Sequence, residues 1–192
     1  LSIDKIVLIY SHQDIYQNVI NTNQNGVFYG MQAFSKYALE AQKENDSMMF
    51  SAVVIASIYA SSASVFSNVA YQASKAAALQ IARQAGIELA RNNVRVNSVS
   101  PTFLDTNMTR QFHGNEMIRQ GIANHTPTGT WGKKTTVAST VTFLLSNASH
   151  SITAKDVPVD CGVLSESVPN YVLNSQMEEE ASKNKIEGYM CC

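Results

Sequence analysis

At 192 residues, with 45% hydrophobic residues and a net charge of −1, the chain is long enough for one domain with a sizeable core, followed by a tail. The near-neutral charge gives no electrostatic basis for a nucleic-acid partner, and no apolar run approaches the roughly 20 residues of a membrane span. The N-terminus lacks a basic stretch followed by an apolar one. Its cysteines, Cys161, Cys191 and Cys192, are too few and too clustered for a disulfide framework, so a cytoplasmic, reducing setting is expected.

Short apolar runs alternate with longer helical stretches. "IDKIVLIY" (Ile3–Tyr10) predicts a buried strand. A long helix follows over "DIYQNVINTNQNGVFYGMQAFSKYALEAQKEN", with Asp14 as its expected N-cap. Within it Gly26 and Gly30 stand about one turn apart and would permit close backbone approach on that face. The β-branched run "SAVVIAS" (Ser51–Ser57) predicts a second buried strand, and a serine-rich loop leads on to a second helix from Tyr71 to about Arg91. The alanines of that helix suit tight helix packing. "VRVNSVSP" (Val94–Pro101) predicts a third strand, ended by proline. Phe103–Asn124 is expected to be irregular or helical, Thr135–Ser149 a third helix, and "KDVPVDCG" (Lys155–Gly162) a short last strand. From Ser165 to Cys192 the chain turns charged and loses any core pattern. The organisation expected is therefore one unit over 1–164 and a tail over 165–192.

Strand alternating with helix implies right-handed crossovers and a parallel sheet, with ligands bound at the carboxyl ends of the strands. Ser57 and Pro101 fall at such ends, and Tyr71 opens the helix between them. Tyr71 and Lys75 share a helix face, their Cβ atoms about 5–6 Å apart. A lysine cation and a helix N-terminus near a phenol would favour its ionised form, with a depression of about 1–3 pKa units expected from the cation. A tyrosine so tuned could pass a proton to or from an alcohol or ketone, with Ser57 holding the same oxygen. The spacing alone favours a half-buried aromatic beside a solvated lysine; the surrounding motifs shift the balance toward the reactive pair.

Those motifs resemble the short-chain dehydrogenase/reductase family. "YQASKAAALQIARQAGIELARNNVRVNSVSPTFLDTNM" is similar to its active-site helix and following strand, and "VVIAS" to the strand carrying its serine. "NTNQNGVF" resembles the segment whose asparagine, here Asn23, supports a water relay. "HTPTGTWGKKTTVASTVTFLLSNASHSITAKDVPVDCG" resembles its C-terminal helix and strand, which shape the substrate pocket and subunit contact. The resemblance runs from about Asp14 to Gly162 and implies a Rossmann-like, doubly wound α/β fold. It also implies an NAD- or NADP-dependent oxidoreductase that interconverts an alcohol and a ketone or aldehyde, and assembles as a homodimer or homotetramer. Tyr71 would be the general acid/base and Lys75 the group that tunes it and binds the nicotinamide ribose. Ser57 would orient the carbonyl, and Asn23 would hold the water. Pro101, Thr102, Leu104 and Thr106 would line the nicotinamide and phosphates.

Departures from the family pattern are visible as well. The first glycine in the chain is Gly26, so the family's glycine-rich dinucleotide turn is missing and the first strands are expected to be absent, as in a truncated chain. Thr102, Ala154 and Cys161 stand where glycines are usual, and Thr135–Thr136 where an acidic cap is usual. A catalytically silent interaction or oligomerisation protein built on the same fold therefore remains open as the alternative. No metal-ligand spacing is present. Trp131 reads as a packing residue near the subunit contact. No charged clamp for an acid or phosphate stands out, which favours an apolar small-molecule substrate. Cys191–Cys192 resemble a prenylated ending, but no membrane attachment is expected.

Overall fold

The computed structural model describes residues 12–63, 68–112 and 114–166. The strand expected at Ile3–Tyr10, most of the tail after Ser165, and Cys191–Cys192 lie outside the described residues.

Three parallel strands form one sheet in the order β1 (Phe50–Ile55), β2 (Val94–Pro101), β3 (Asp156–Val159). Register runs from Phe50↔Val94 to Ile55↔Val99 and from Ser98↔Asp156 to Pro101↔Val159. β2 is central and buried along nearly its whole length, as a β-branched run in a two-faced sheet requires. β1 ends at Ile55, before Ser57. β3 ends at Val159, because Asp160 bends the chain: its carboxylate accepts from Gly162 N at 3.0 Å and Leu164 N at 2.8 Å.

Helices cover both faces, giving a Rossmann-like, doubly wound α/β fold. On one side α2 (Gly26–Glu44) and α3 (Val69–Glu88) bury Met31, Ala38, Ala78 and Ala82 against Val54, Val94 and Val96. On the other lies α5 (Lys134–Leu145), whose C-terminal carbonyls are gathered by Arg95. The Arg95 guanidinium, 8% exposed, donates to Leu144 O at 2.9 Å, Ser146 O at 3.0 Å and Ile152 O at 3.2 Å. A cation at the negative end of a helix is favourably placed there. A short α4 (Glu116–Asn124) precedes α5.

Four expectations need correcting. The first helix is not continuous: α1 (Gln13–Ile20) passes through a π-helical segment at Asn21–Asn25 before α2 begins. Its N-cap is His12, and Asp14 sits in the first turn, where a carboxylate still suits the dipole. The second helix starts earlier than Tyr71, at Val69. Gly26 and Gly30 make no close approach, since a Cβ on Gly30 would meet nothing within 4 Å. The close approach is at Gly86 in α3, where a Cβ would lie 2.7 Å from both Val96 O and Ala154 N.

Ala154 and Cys161 adopt left-handed backbone conformations, at φ 57° and 58°. An L-residue there carries about 1–2 kcal/mol of steric cost that glycine avoids. Ala154→Gly and Cys161→Gly are each expected to raise unfolding free energy by about 0.5–1 kcal/mol, after the glycine's larger chain entropy is subtracted. Gly86→Ala is expected to lower it by about 1–3 kcal/mol, because its methyl would meet backbone that cannot swing aside. Equilibrium urea denaturation of the three variants checks all of these.

Candidate active site

Tyr71 is placed by a helix cap. Asn68 precedes α3 in extended conformation, and its Oδ1 accepts from Tyr71 N at 2.8 Å. Tyr71 is therefore the third residue of the helix, one turn before Lys75. Ser57 caps a short 3-10 turn, Ile58–Ala60, by accepting from Tyr59 N at 3.2 Å, and is itself buried. A hydrogen bond joins the side chains of Ser57 and Tyr71. Lys75 stands 5.8 Å from the Tyr71 ring centroid and donates from Nζ to Ile55 O, at the end of β1, over 2.9 Å. Three of the expected groups thus meet at one corner of the sheet's carboxyl edge.

The expected depression of the Tyr71 phenol by Lys75 does not occur. Burial pushes the phenol above its ordinary value, and the Ser57 hydrogen bond works against that rise without overcoming it. Lys75 directs its ammonium at a main-chain carbonyl instead, and the same burial pushes its own pKa down.

Asn23 lies in the middle of the π-helical segment, a form of helix often found at functional sites. Its Nδ2 donates to Ser74 Oγ at 3.1 Å, and Ser74 Oγ donates to Tyr71 O at 2.8 Å. Asn23 is therefore tied to the Tyr71 turn through Ser74, a residue that sequence reasoning passed over. Asn68 was passed over too, although an asparagine three residues before a helical tyrosine is a readable cap.

The cofactor candidates follow β2. Pro101 pairs with Val159, and Thr102 N donates to Val159 O at 3.1 Å. Thr102 is 7% exposed, its Oγ1 has no hydrogen-bond partner, and its methyl packs where a side chain on Gly132 would go. Leu104 bridges to Gly132, and Thr106 sits in a turn stapled by Thr109, whose Oγ1 accepts from Thr106 N at 3.0 Å and donates to Leu104 O at 2.6 Å. Trp131 donates from Nε1 to Arg119 O at 3.1 Å and meets Phe103 at 5.9 Å with the rings tilted by 55°; Phe103 also meets Tyr59 and Phe112.

Residues 5–164 match the family model described as enoyl-(acyl carrier protein) reductase. The chain belongs to the short-chain dehydrogenase/reductase family. Among relatives of this family, 3-oxoacyl-(acyl-carrier-protein) reductase FabG of Thermotoga maritima is 31% identical over 158 residues, covering 82% of this chain and 61% of the relative. The 2-dehydro-3-deoxy-D-gluconate 5-dehydrogenase of Escherichia coli is 29% identical over 157 residues, covering 82% of this chain and 59% of the relative. A solved 4-hydroxyisoleucine dehydrogenase complexed with NADH superposes with a TM-score of 0.74 at 26% identity, over 83% of this chain and 63% of that one. A gluconate 5-dehydrogenase from Burkholderia cenocepacia, in complex with NADP and tartrate, shares the fold with a TM-score of 0.76 at 22% identity, over 83% of this chain and 60% of that one. The chain thus spans about three fifths of the length of the relatives it matches. Among the described residues no helix is long and apolar enough to cross a membrane.

A buried neutral phenol stabilises the folded state below the unfolded tyrosine value of about 10, and that contribution is lost as pH rises through the raised folded value. In an absorbance titration at alkaline pH, the share removed by Tyr71→Phe is expected to ionise above pH ~10, and Ser57→Ala to move it higher still. Ionisation of that share below pH ~9 would contradict the balance described.

Proposed function

We propose that this chain carries the catalytic half of an NAD- or NADP-dependent oxidoreductase acting on an alcohol/carbonyl pair. The observation that carries the reading is the meeting of Ser57, Tyr71 and Lys75 from separate segments at the carboxyl edge of the sheet. The residues fit a nicotinamide nucleotide. The Lys75 ammonium has three donors and gives one to Ile55 O, which leaves donors suited to the vicinal hydroxyls of a ribose. When bound, the nucleotide would supply or accept the hydride.

The chain's own residues would handle the proton. Tyr71 O–H donates to the substrate carbonyl oxygen as that oxygen gains negative charge, so the phenol's proton ends on the product hydroxyl. The phenolate left behind is held by the Ser57 hydroxyl and faces the Lys75 cation. Burial keeps Tyr71 protonated at neutral pH, the form that can give a proton to a carbonyl oxygen. Asn23, through Ser74, would fix the turn that carries Tyr71, and could hold a water on the path that returns the proton.

Self-association fits this reading. Phe28, Tyr29 and Tyr37 stand exposed on α2, and Phe143 and Leu145 on α5, so apolar area remains available for a homodimer or homotetramer.

Tyr71→Phe is expected to lower turnover of a ketone with NADH or NADPH by at least about 100-fold, while far-UV circular dichroism and thermal midpoint stay unchanged. Nicotinamide fluorescence is expected to report saturable binding that Lys75→Ala weakens. Unchanged turnover in Tyr71→Phe would overturn the catalytic assignment. Absence of binding to either nucleotide would favour the silent interaction protein.

A further inference from the structure

A second polar site lies on the same sheet edge, between the loop that leaves β2 and the first turn of α5. Asp105, Thr106, Asn107, Arg110 and Lys134 surround an open depression of about 430 Å³ there. The two walls are far apart in sequence. They are joined by the Leu104↔Gly132 bridge and by Gly132 N donating to Phe103 O at 2.9 Å. The backbones come close at Gly132, where a Cβ would lie 2.9 Å from Leu104 Cδ2 and 3.1 Å from Thr102 Cγ2, so those side chains would have to give way.

The charge of this depression is unbalanced. Arg110 and Lys134 face one carboxylate, that of Asp105. Lys133 and Lys134 occupy the N-cap and the first position of α5, a helix with no acidic residue in its first turn and no side-chain cap. Cations at the positive end of a helix oppose its dipole, so the protein alone is disfavoured by this arrangement. An anion between the lysine and the arginine reverses the sign of both terms and meets the helix end in its preferred sense. Arg110 is steadied for such a contact, because Nη2 donates to Asn107 Oδ1 at 2.7 Å while the rest of its five-donor fork remains for a ligand. Thr106 adds a neutral hydroxyl on the same rim.

We propose that Arg110 and Lys134 form an oxyanion-binding site that takes a carboxylate or phosphate carried by the substrate. This deepens the oxidoreductase reading, because it gives the proposed catalytic edge a preference for acidic ligands. It also replaces the sequence expectation that no charged clamp is present.

The test is a backbone-amide NMR titration of the full chain, at fixed ionic strength, with succinate, inorganic phosphate and an uncharged diol of similar size. Saturable shifts are expected at 105–107 and 134–136 with an anion and not with the diol. Arg110→Gln and Lys134→Gln are each expected to weaken binding about threefold to tenfold. Saturation by succinate alone assigns the site to carboxylate-bearing substrates, and saturation by phosphate alone to phosphorylated substrates. Lys134→Glu supplies a readout that a structural role would not give, with binding lost while the thermal midpoint of the free protein rises. Tyr71→Phe is expected to leave these titrations unchanged, so failure of the catalytic reading is seen separately. Shifts that stay linear with both anions, or saturation unaffected by both glutamine variants, would overturn the proposal.

Discussion

The contact that most constrains this fold is the seating of Gly86 against the sheet. Any side chain at this position would strike Val96 O and Ala154 N, so α3 can lie against β2 only where it carries a bare backbone. Around that point three segments are tied. Ala154 N donates to Val96 O at 2.8 Å, and Thr153 Oγ1 accepts from Val96 N at 3.2 Å and donates to Gly86 O at 3.3 Å. The end of α3, the middle of β2 and the approach to β3 are locked together there. Ala154 holds a left-handed conformation at the same junction, which shows that the packing is favourable enough to carry local strain.

A helix fixed at its C-terminal end aims its N-terminal end. From Gly86 back to Tyr71, α3 runs over β2 toward the carboxyl edge, with Ala78 and Ala82 small enough to keep it close. Asn68 then fixes the first turn, and Lys75 pins the next turn to Ile55 O. Tyr71 is held from both sides, and its phenol has little choice but to face Ser57. Its protonation follows from that placement. Burial weighs against the phenolate more than one hydroxyl bond weighs for it, and the neighbouring cation is engaged with a carbonyl. The resting site is a held proton, ready to be given.

Sequence made the described strands and the Tyr71–Lys75 pair legible for physical reasons. Val94–Pro101 is an apolar run ended by a residue without an N–H, and it appears with those bounds. Helix periodicity puts Tyr71 and Lys75 on one face, and the surrounding motifs single the pair out. Contacts made across long sequence distances were not legible. Nothing local marks Gly86 as the packed glycine rather than Gly26 or Gly30, because the distinction depends on which helix face meets the sheet. The preference of Lys75 for Ile55 O depends on where β1 stops. Asparagines spaced through Asn21–Asn25 gave no sign of a π-helical turn, whose extra residue per turn shows only in the hydrogen bonds. That Arg110 and Lys134 line one depression depends on segments joined by the Leu104–Gly132 bridge, which no pattern of hydrophobicity encodes.

The two polar sites on this edge obey opposite electrostatic rules. Tyr71 and Lys75 are half-buried, so their protonation is set by desolvation and by single hydrogen bonds, and ionic strength should matter little to them. Arg110 and Lys134 are exposed, so their influence reaches into solvent and fades with salt. A ligand drawn by the outer pair would lose long-range attraction as it settled, while the inner groups act only over contact distances. Attraction at the rim and proton transfer in the interior can therefore vary independently. Under the proposed roles, a change at Lys134 would alter which molecules are held without touching the phenol, and a change at Ser57 would alter the phenol without altering the rim. That independence follows from the depth of each group, and under the proposed roles it would make the loop after β2 the part of this chain most open to changes in specificity.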